Sequence, residues 1–135
     1  MSSKFRRSAG LACAGIAAAA IVSSSAYAES LLEFDRWMQK IERYSLGIQR
    51  HLKRDEAEQA IADAREMQAL YERMADYFVR RGDSHLAEKI SRTGIELAGQ
   101  IIQATGSGDL AGAQRAAISL ARDCRECHSE YKPLR

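Results

Sequence analysis

Proline is almost missing from this chain: its 135 residues include one, Pro133. Nothing upstream of it removes a backbone donor or clashes with a preceding turn, so nearly the whole chain is open to long helices. An excess of one charge is missing too. The formal net charge is +2 on 15.0 kDa, far too mild for a nucleic-acid surface. No stretch shows the strict apolar–polar alternation of a half-buried strand, and no internal repeat or low-complexity segment is present. Cysteines number three, an odd count that a paired disulfide framework cannot use up. With 28% charged and 46% hydrophobic residues the chain reads as globular, and its length suits one domain.

The first stretch departs from the rest. Lys4, Arg6 and Arg7 form a basic start with no acidic residue before Glu29, an apolar run follows from Ala9 to Val22, and small residues lead to Ala26-Tyr27-Ala28. This is the layout of a secretory signal peptide cut after Ala28. The apolar run of about 14 residues falls short of the ~20 that span a bilayer. Cys13 lacks a lipoprotein setting, because Leu11 stands one position too late, and Arg6-Arg7 lacks the bulky apolar residues that follow a twin-arginine pair. General secretion into the periplasm is the expectation, with residues 1–28 removed and 29–135 forming one domain. The mature chain then holds 17 Lys/Arg and 18 Asp/Glu, a formal charge of −1, and two cysteines, Cys124 and Cys127.

From Leu31 onward apolar residues recur every three or four positions, the period of amphipathic helices. One stripe is Leu31, Phe34, Met38, Ile41, Tyr44, Ile48 and Leu52; a second is Ala57, Ile61, Ala64, Met67, Leu70 or Tyr71, Met74 and Phe78. A third is Leu86, Ile90, Thr93 or Gly94, Leu97, Ile101 and Ala104. The last is Leu110, Ala113, Ala117, Leu120 or Ala121, Cys124, Cys127 and Tyr131. Between them stand Gly82 with Asp83 or Ser84, and Gly106-Ser107-Gly108-Asp109, residues that end one helix and cap the next. The first break, at Lys53-Arg54-Asp55, has no glycine and only Asp55 as a cap. Gly47 falls inside the first helix at a cost of up to ~1 kcal/mol relative to alanine, which close packing or a kink would explain. Four helices joined by short loops predict an all-α, antiparallel up-down-up-down four-helix bundle.

Near the C-terminus stands Cys124-Arg125-Glu126-Cys127-His128. Two thiols separated by two residues and followed directly by histidine form the attachment signature of c-type haem. On a helix both sulfurs share one face, where they can add to the haem vinyl groups, and His128 supplies the proximal ligand to the iron. A thioredoxin-like dithiol belongs at a helix start beside a strand, whereas this pair sits late in a helix. A zinc site needs further ligands, and the remaining histidines, His51 and His85, are far apart in sequence.

An exported bundle with this motif on its fourth helix resembles the class II c-type cytochromes, the cytochrome c′ and cytochrome c-556 group. The continuation Ser129-Glu130-Tyr131-Lys132 is similar to that family's pattern as well. The resemblance implies one covalent haem c near one end of the bundle. It also implies homodimerisation through helices one and two, with Trp37 or Tyr71 as contacts. Members resembling c-556 place a methionine of helix one on the sixth coordination position and carry electrons. Members resembling c′ leave that position to an apolar side chain and bind nitric oxide or carbon monoxide.

Met38, on the inward stripe at the depth of His128, is the expected distal ligand; no second ligand, His85 or Met74 are the alternatives. Ile41, one turn on, is the apolar residue that a c′-type site would present. In the family an arginine often precedes the distal position by four residues, whereas Arg36 precedes Met38 by two. Arg36, Arg43, Arg122 and Arg125 are open alternatives as propionate partners, and His51 is expected on the surface at the far end. The expectation is a non-enzymatic one-electron carrier serving periplasmic redox partner proteins, with no nucleic-acid partner. Two ionised propionates take the mature charge to about −3, which favours a basic partner surface.

Overall fold

The computed structural model describes the backbone of residues 14–131 and the side chains of residues 31–130. Residues 1–13 of the expected leader, Cys13 included, therefore lie outside the described residues, as do the leader's side chains, Lys132 and the Tyr131 side chain. The chain divides into two compact units, Met1–Asp35 and Arg36–Arg135. The helices are α1 (Ala14–Lys53), α2 (Ala57–Arg81), α3 (His85–Gly106) and α4 (Leu110–Tyr131), with no strand among the described residues. In the first unit the described backbone is helical from Ala14, and Leu31 and Leu32 are exposed. Among the described residues no helix is long and apolar enough to cross a membrane.

The second unit is an all-α bundle whose consecutive helices run antiparallel. Trp37 of α1 meets Tyr77 of α2 edge to face, with centroids 6.5 Å apart, while His51 faces Asp63 further along. As the position rises on one helix it falls on the other. The same inversion holds between α2 and α3, where Gln68 donates to the Ile95 carbonyl at 3.1 Å and the Tyr71 ring lies over Gly94. α3 packs against both α2 and α4.

The turns follow from their residues, with two differences from expectation. Gly82 has φ +70°, and its N–H donates to the Phe78 carbonyl, closing α2 in the left-handed conformation that glycine adopts without strain. Asp109 caps α4 by accepting from the Gly112 N–H at 2.8 Å. Ser84, at the start of α3, makes no capping bond; its hydroxyl donates instead to the Asp83 carboxylate, which two Arg81 nitrogens grip at 3.1 Å. Asp55 is not the cap of α2 either. It carries the turn in the left-handed region at φ +59°, and Glu56 stands at the cap position with its carboxylate turned back to His51 Nδ1 at 2.5 Å. His51, expected on the surface, is half-buried between Glu56 and Asp63.

Burial follows the expected helical period but in a shifted phase. On α1 the interior holds Trp37, Ile41, Ile48 and Leu52, with Met38 half-buried on the flank. On α2 both Leu70 and Tyr71 are interior, with Met67 and Met74. The inner face of α3 is Ala87, Ile90, Ser91, Gly94, Ala98, Ile101 and Thr105; Ile90, Gly94 and Ile101 stand as expected, while Leu86, Leu97 and Ala104 give way to the residues one position on. Small residues bring the neighbouring helices close, and the larger Leu86 and Leu97 are displaced to the edges.

Candidate functional site

Leu120, Cys124 and Cys127 recur four and three residues apart, which keeps them on the inward face of α4. Cys127 is buried, Cys124 half-buried, and both are free thiols. His128 comes roughly 100° further round the helix and is exposed. The structure therefore brings the two sulfurs to one face at the edge of the core, with the imidazole beside them on the solvent side.

Tyr71 reaches this pair from α2. Its hydroxyl lies 3.4 Å from Cys124 Sγ, and the side chain is almost fully buried. Gly94 of α3 makes the approach possible: a Cβ there would stand 2.6 Å from two carbons of the Tyr71 ring. Tyr71 was legible in the sequence only as an inward or dimer-contact residue, and Gly94 only as one option on a stripe. Neither carried a sign of Cys124. A glycine facing an aromatic ring across a helix pair leaves no local signature in either segment.

Burial pushes the Cys124 thiol up from its ordinary range, the Tyr71 hydrogen bond drawing it partly back. Burial, then the neighbouring Cys124, pushes Cys127 up as well. Tyr71 is held well above the usual phenol range, chiefly by burial. Both shifts favour the thiol over the thiolate. An activated redox dithiol requires the reverse shift, because the thiolate is the attacking species.

The remaining expected residues fall as follows. Met38 stands nine residues from Gly47, about half a turn round the helix at 3.6 residues per turn. Gly47 is packed on Asp63 of α2, so Met38 lies on the flank of α1 turned away from α2. Ile41 and Met74 are buried, and His85 is exposed. Trp37 and Tyr71, the expected dimer contacts, are interior and present little surface to a second copy. Arg36, Arg43, Arg122 and Arg125 are exposed, and Arg43 lies over the adjacent Tyr44 ring. Among the described residues no group of three or more His, Cys, Asp or Glu side chains is placed to hold a bare metal ion. A groove of about 410 Å³ opens at the α3–α4 turn, lined by Leu97, Gln100, Arg115 and Ser119 among others, and does not include the cysteines. No family model, curated protein or solved structure matches the chain.

Proposed function

We propose that the mature chain is a periplasmic c-type cytochrome that carries single electrons, holding one haem c through thioethers to Cys124 and Cys127. The observation that carries the reading is the pair of free thiols three residues apart on the inward face of the last helix, with histidine next in the chain. The donor set fits the group. Two sulfurs on one face suit two vinyl attachments, and an imidazole in the adjoining position suits a proximal ligand. Buried Met74, Tyr77 and Phe78 supply apolar cover at the matching end of α2.

When bound, the haem supplies an iron that takes up and releases one electron. The chain's part is to exclude water, fix the His128 imidazole and offer the Met38 thioether from the flank of α1 turned away from α2. Export rests on the leader-like residues 1–28. The family resemblance supplies the layout of a bundle with the motif on its fourth helix.

The buried position of Ile41 favours a second reading. If Ile41 rather than Met38 faces the iron, the sixth position is open and the protein binds nitric oxide or carbon monoxide as cytochrome c′ does. One experiment separates the two. The purified full-length product is examined by absorption in both oxidation states, with and without carbon monoxide. A low-spin ferric spectrum with a methionine–iron band, unchanged by carbon monoxide after reduction, supports the electron carrier. A high-spin ferric spectrum and a ferrous form that takes up carbon monoxide supports the second reading. No covalent haem at all removes both.

A further inference from the structure

The interior contact least accounted for by packing alone is the one from Tyr71 to Cys124. A buried tyrosine hydroxyl seeks a strong partner, and here its partner is a sulfur, a weak acceptor and weak donor. The ring lies over Gly94, where any side chain would collide with it. Three helices thus meet at one sulfur: α2 sends the hydroxyl, α3 clears its path, and α4 presents Cys124. Cys127 is without such a partner in the hydrogen bonds of the described residues.

We propose that Tyr71, admitted by Gly94, is the positioning residue for Cys124, holding its sulfur in place for thioether formation. The inference rests on the haem c reading and deepens it. Attachment at Cys124 breaks the S–H bond and the vinyl π bond and forms one C–S and one C–H bond, so no oxidant or reductant is consumed. Only the orientation of the sulfur has to be supplied. Before the bond forms, the hydroxyl and the thiol can each donate to the other; afterwards the sulfur has no proton and Tyr71 donates to it. Tyr71 is held protonated by its burial, so it remains a donor in both stages. Cys127 is buried as well but makes no such hydrogen bond among the described residues.

The test uses the full-length chain expressed with a haem-attachment system, as wild type, Tyr71→Phe and Gly94→Ala. Tyr71→Phe keeps the ring and removes the hydroxyl; Gly94→Ala keeps the hydroxyl and displaces the ring. Intact mass, thiol alkylation and the pyridine haemochrome band count the thioethers per chain. Tryptic mapping assigns the free thiol, because Arg125 lies between the cysteines. The expected result is a several-fold rise, in both variants, of singly attached protein whose free thiol is Cys124, with Cys127 still bonded. Circular dichroism shows whether each variant is folded, and Tyr71→Phe decides the matter if Gly94→Ala is not. Doubly attached wild type together with equally doubly attached Tyr71→Phe overturns the positioning role and leaves the haem reading standing. A wild type without covalent haem overturns the haem reading, and the inference with it.

Discussion

Gly94 of α3 and Tyr71 of α2 share a space that admits only one of a side chain on the first or the ring of the second. An added Cβ would stand within 2.8 Å of three ring atoms. Gly47 of α1 is superficially alike, since its missing side chain makes room for the Asp63 carboxylate.

The two glycines answer alanine differently. Alanine gains up to ~1 kcal/mol of helix propensity at either site. At Gly47 the obstacle is the tip of a short polar side chain, which can turn aside at the cost of a part-exposed contact to His51, worth less than ~1 kcal/mol. At Gly94 the obstacle is a buried ring with packed neighbours, and overpacking costs about 1–3 kcal/mol. Urea unfolding of Gly47→Ala is expected to lie within about 0.5 kcal/mol of wild type, and Gly94→Ala to lose about 1–2 kcal/mol. Equal effects in the two variants would mean that the Tyr71 ring is free to move.

Much of this architecture is legible in the chain itself. The breaks at Gly82 and at Gly106–Asp109 fall where turn residues stand, and the helical period locates all four helices. The phase of α3 is only partly legible: Ile90, Gly94 and Ile101 are placed, and the other positions are not. Reading the largest apolar residues selects Leu86 and Leu97, whereas close packing selects Ala87, Ser91, Gly94 and Ala98 for the inside. On α1 the spacing selects Met38 and passes over the neighbouring Trp37, which the bundle buries. The attachment motif is local and therefore visible, but the contact of Tyr71 with Cys124 joins positions 53 residues apart and depends on a side chain that Gly94 does not have.

Asp55 turns the chain between α1 and α2 with φ +59°. A side chain in this region costs roughly 1 kcal/mol relative to glycine, and the cap position of α2 belongs to Glu56 rather than Asp55. Asp55→Gly is therefore expected to be neutral to stabilising by up to about 1 kcal/mol, because the entropy glycine gains in the unfolded chain offsets part of the relieved backbone cost. Calorimetry should show an unchanged or raised Tm, by at most about 4–8 °C for a domain of this size. A lowered Tm would indicate that the aspartate has a partner in solution that offsets its backbone cost.

Acid sensitivity should be traceable to the α2–α3 turn. The Arg81 guanidinium, and then the Ser84 hydroxyl, hold the Asp83 carboxyl down at about 2. A depressed folded value means stability that is fully present above the unfolded value near 3.9 and lost as pH falls toward the folded one. Thermal unfolding of wild type and Asp83→Asn should differ at pH 5 and converge between roughly pH 4 and pH 2. Because the pair is solvent-exposed, 0.5 M salt should shrink the difference at pH 5. A gap that stays constant down to pH 2 would show that the asparagine acts by something other than lost charge.

Met38 and Ile41 are one turn apart on α1, yet they should fail in different measurements. Ile41 is almost completely enclosed, so Ile41→Ala removes core volume and is expected to cost about 2–4 kcal/mol in unfolding experiments. Met38 is half-buried on the flank, so Met38→Ala should cost the apoprotein less than about 1.5 kcal/mol. The haem-loaded protein inverts the ranking if Met38 is the distal ligand. Met38→Ala then converts the ferric spectrum from low spin to high spin and lets the ferrous form bind carbon monoxide, while Ile41→Ala lowers stability and leaves the spin state alone. If instead Met38→Ala leaves the spectrum untouched and Ile41→Ala alters carbon monoxide binding, the distal face belongs to Ile41. The axial methionine assignment would then give way to the five-coordinate one.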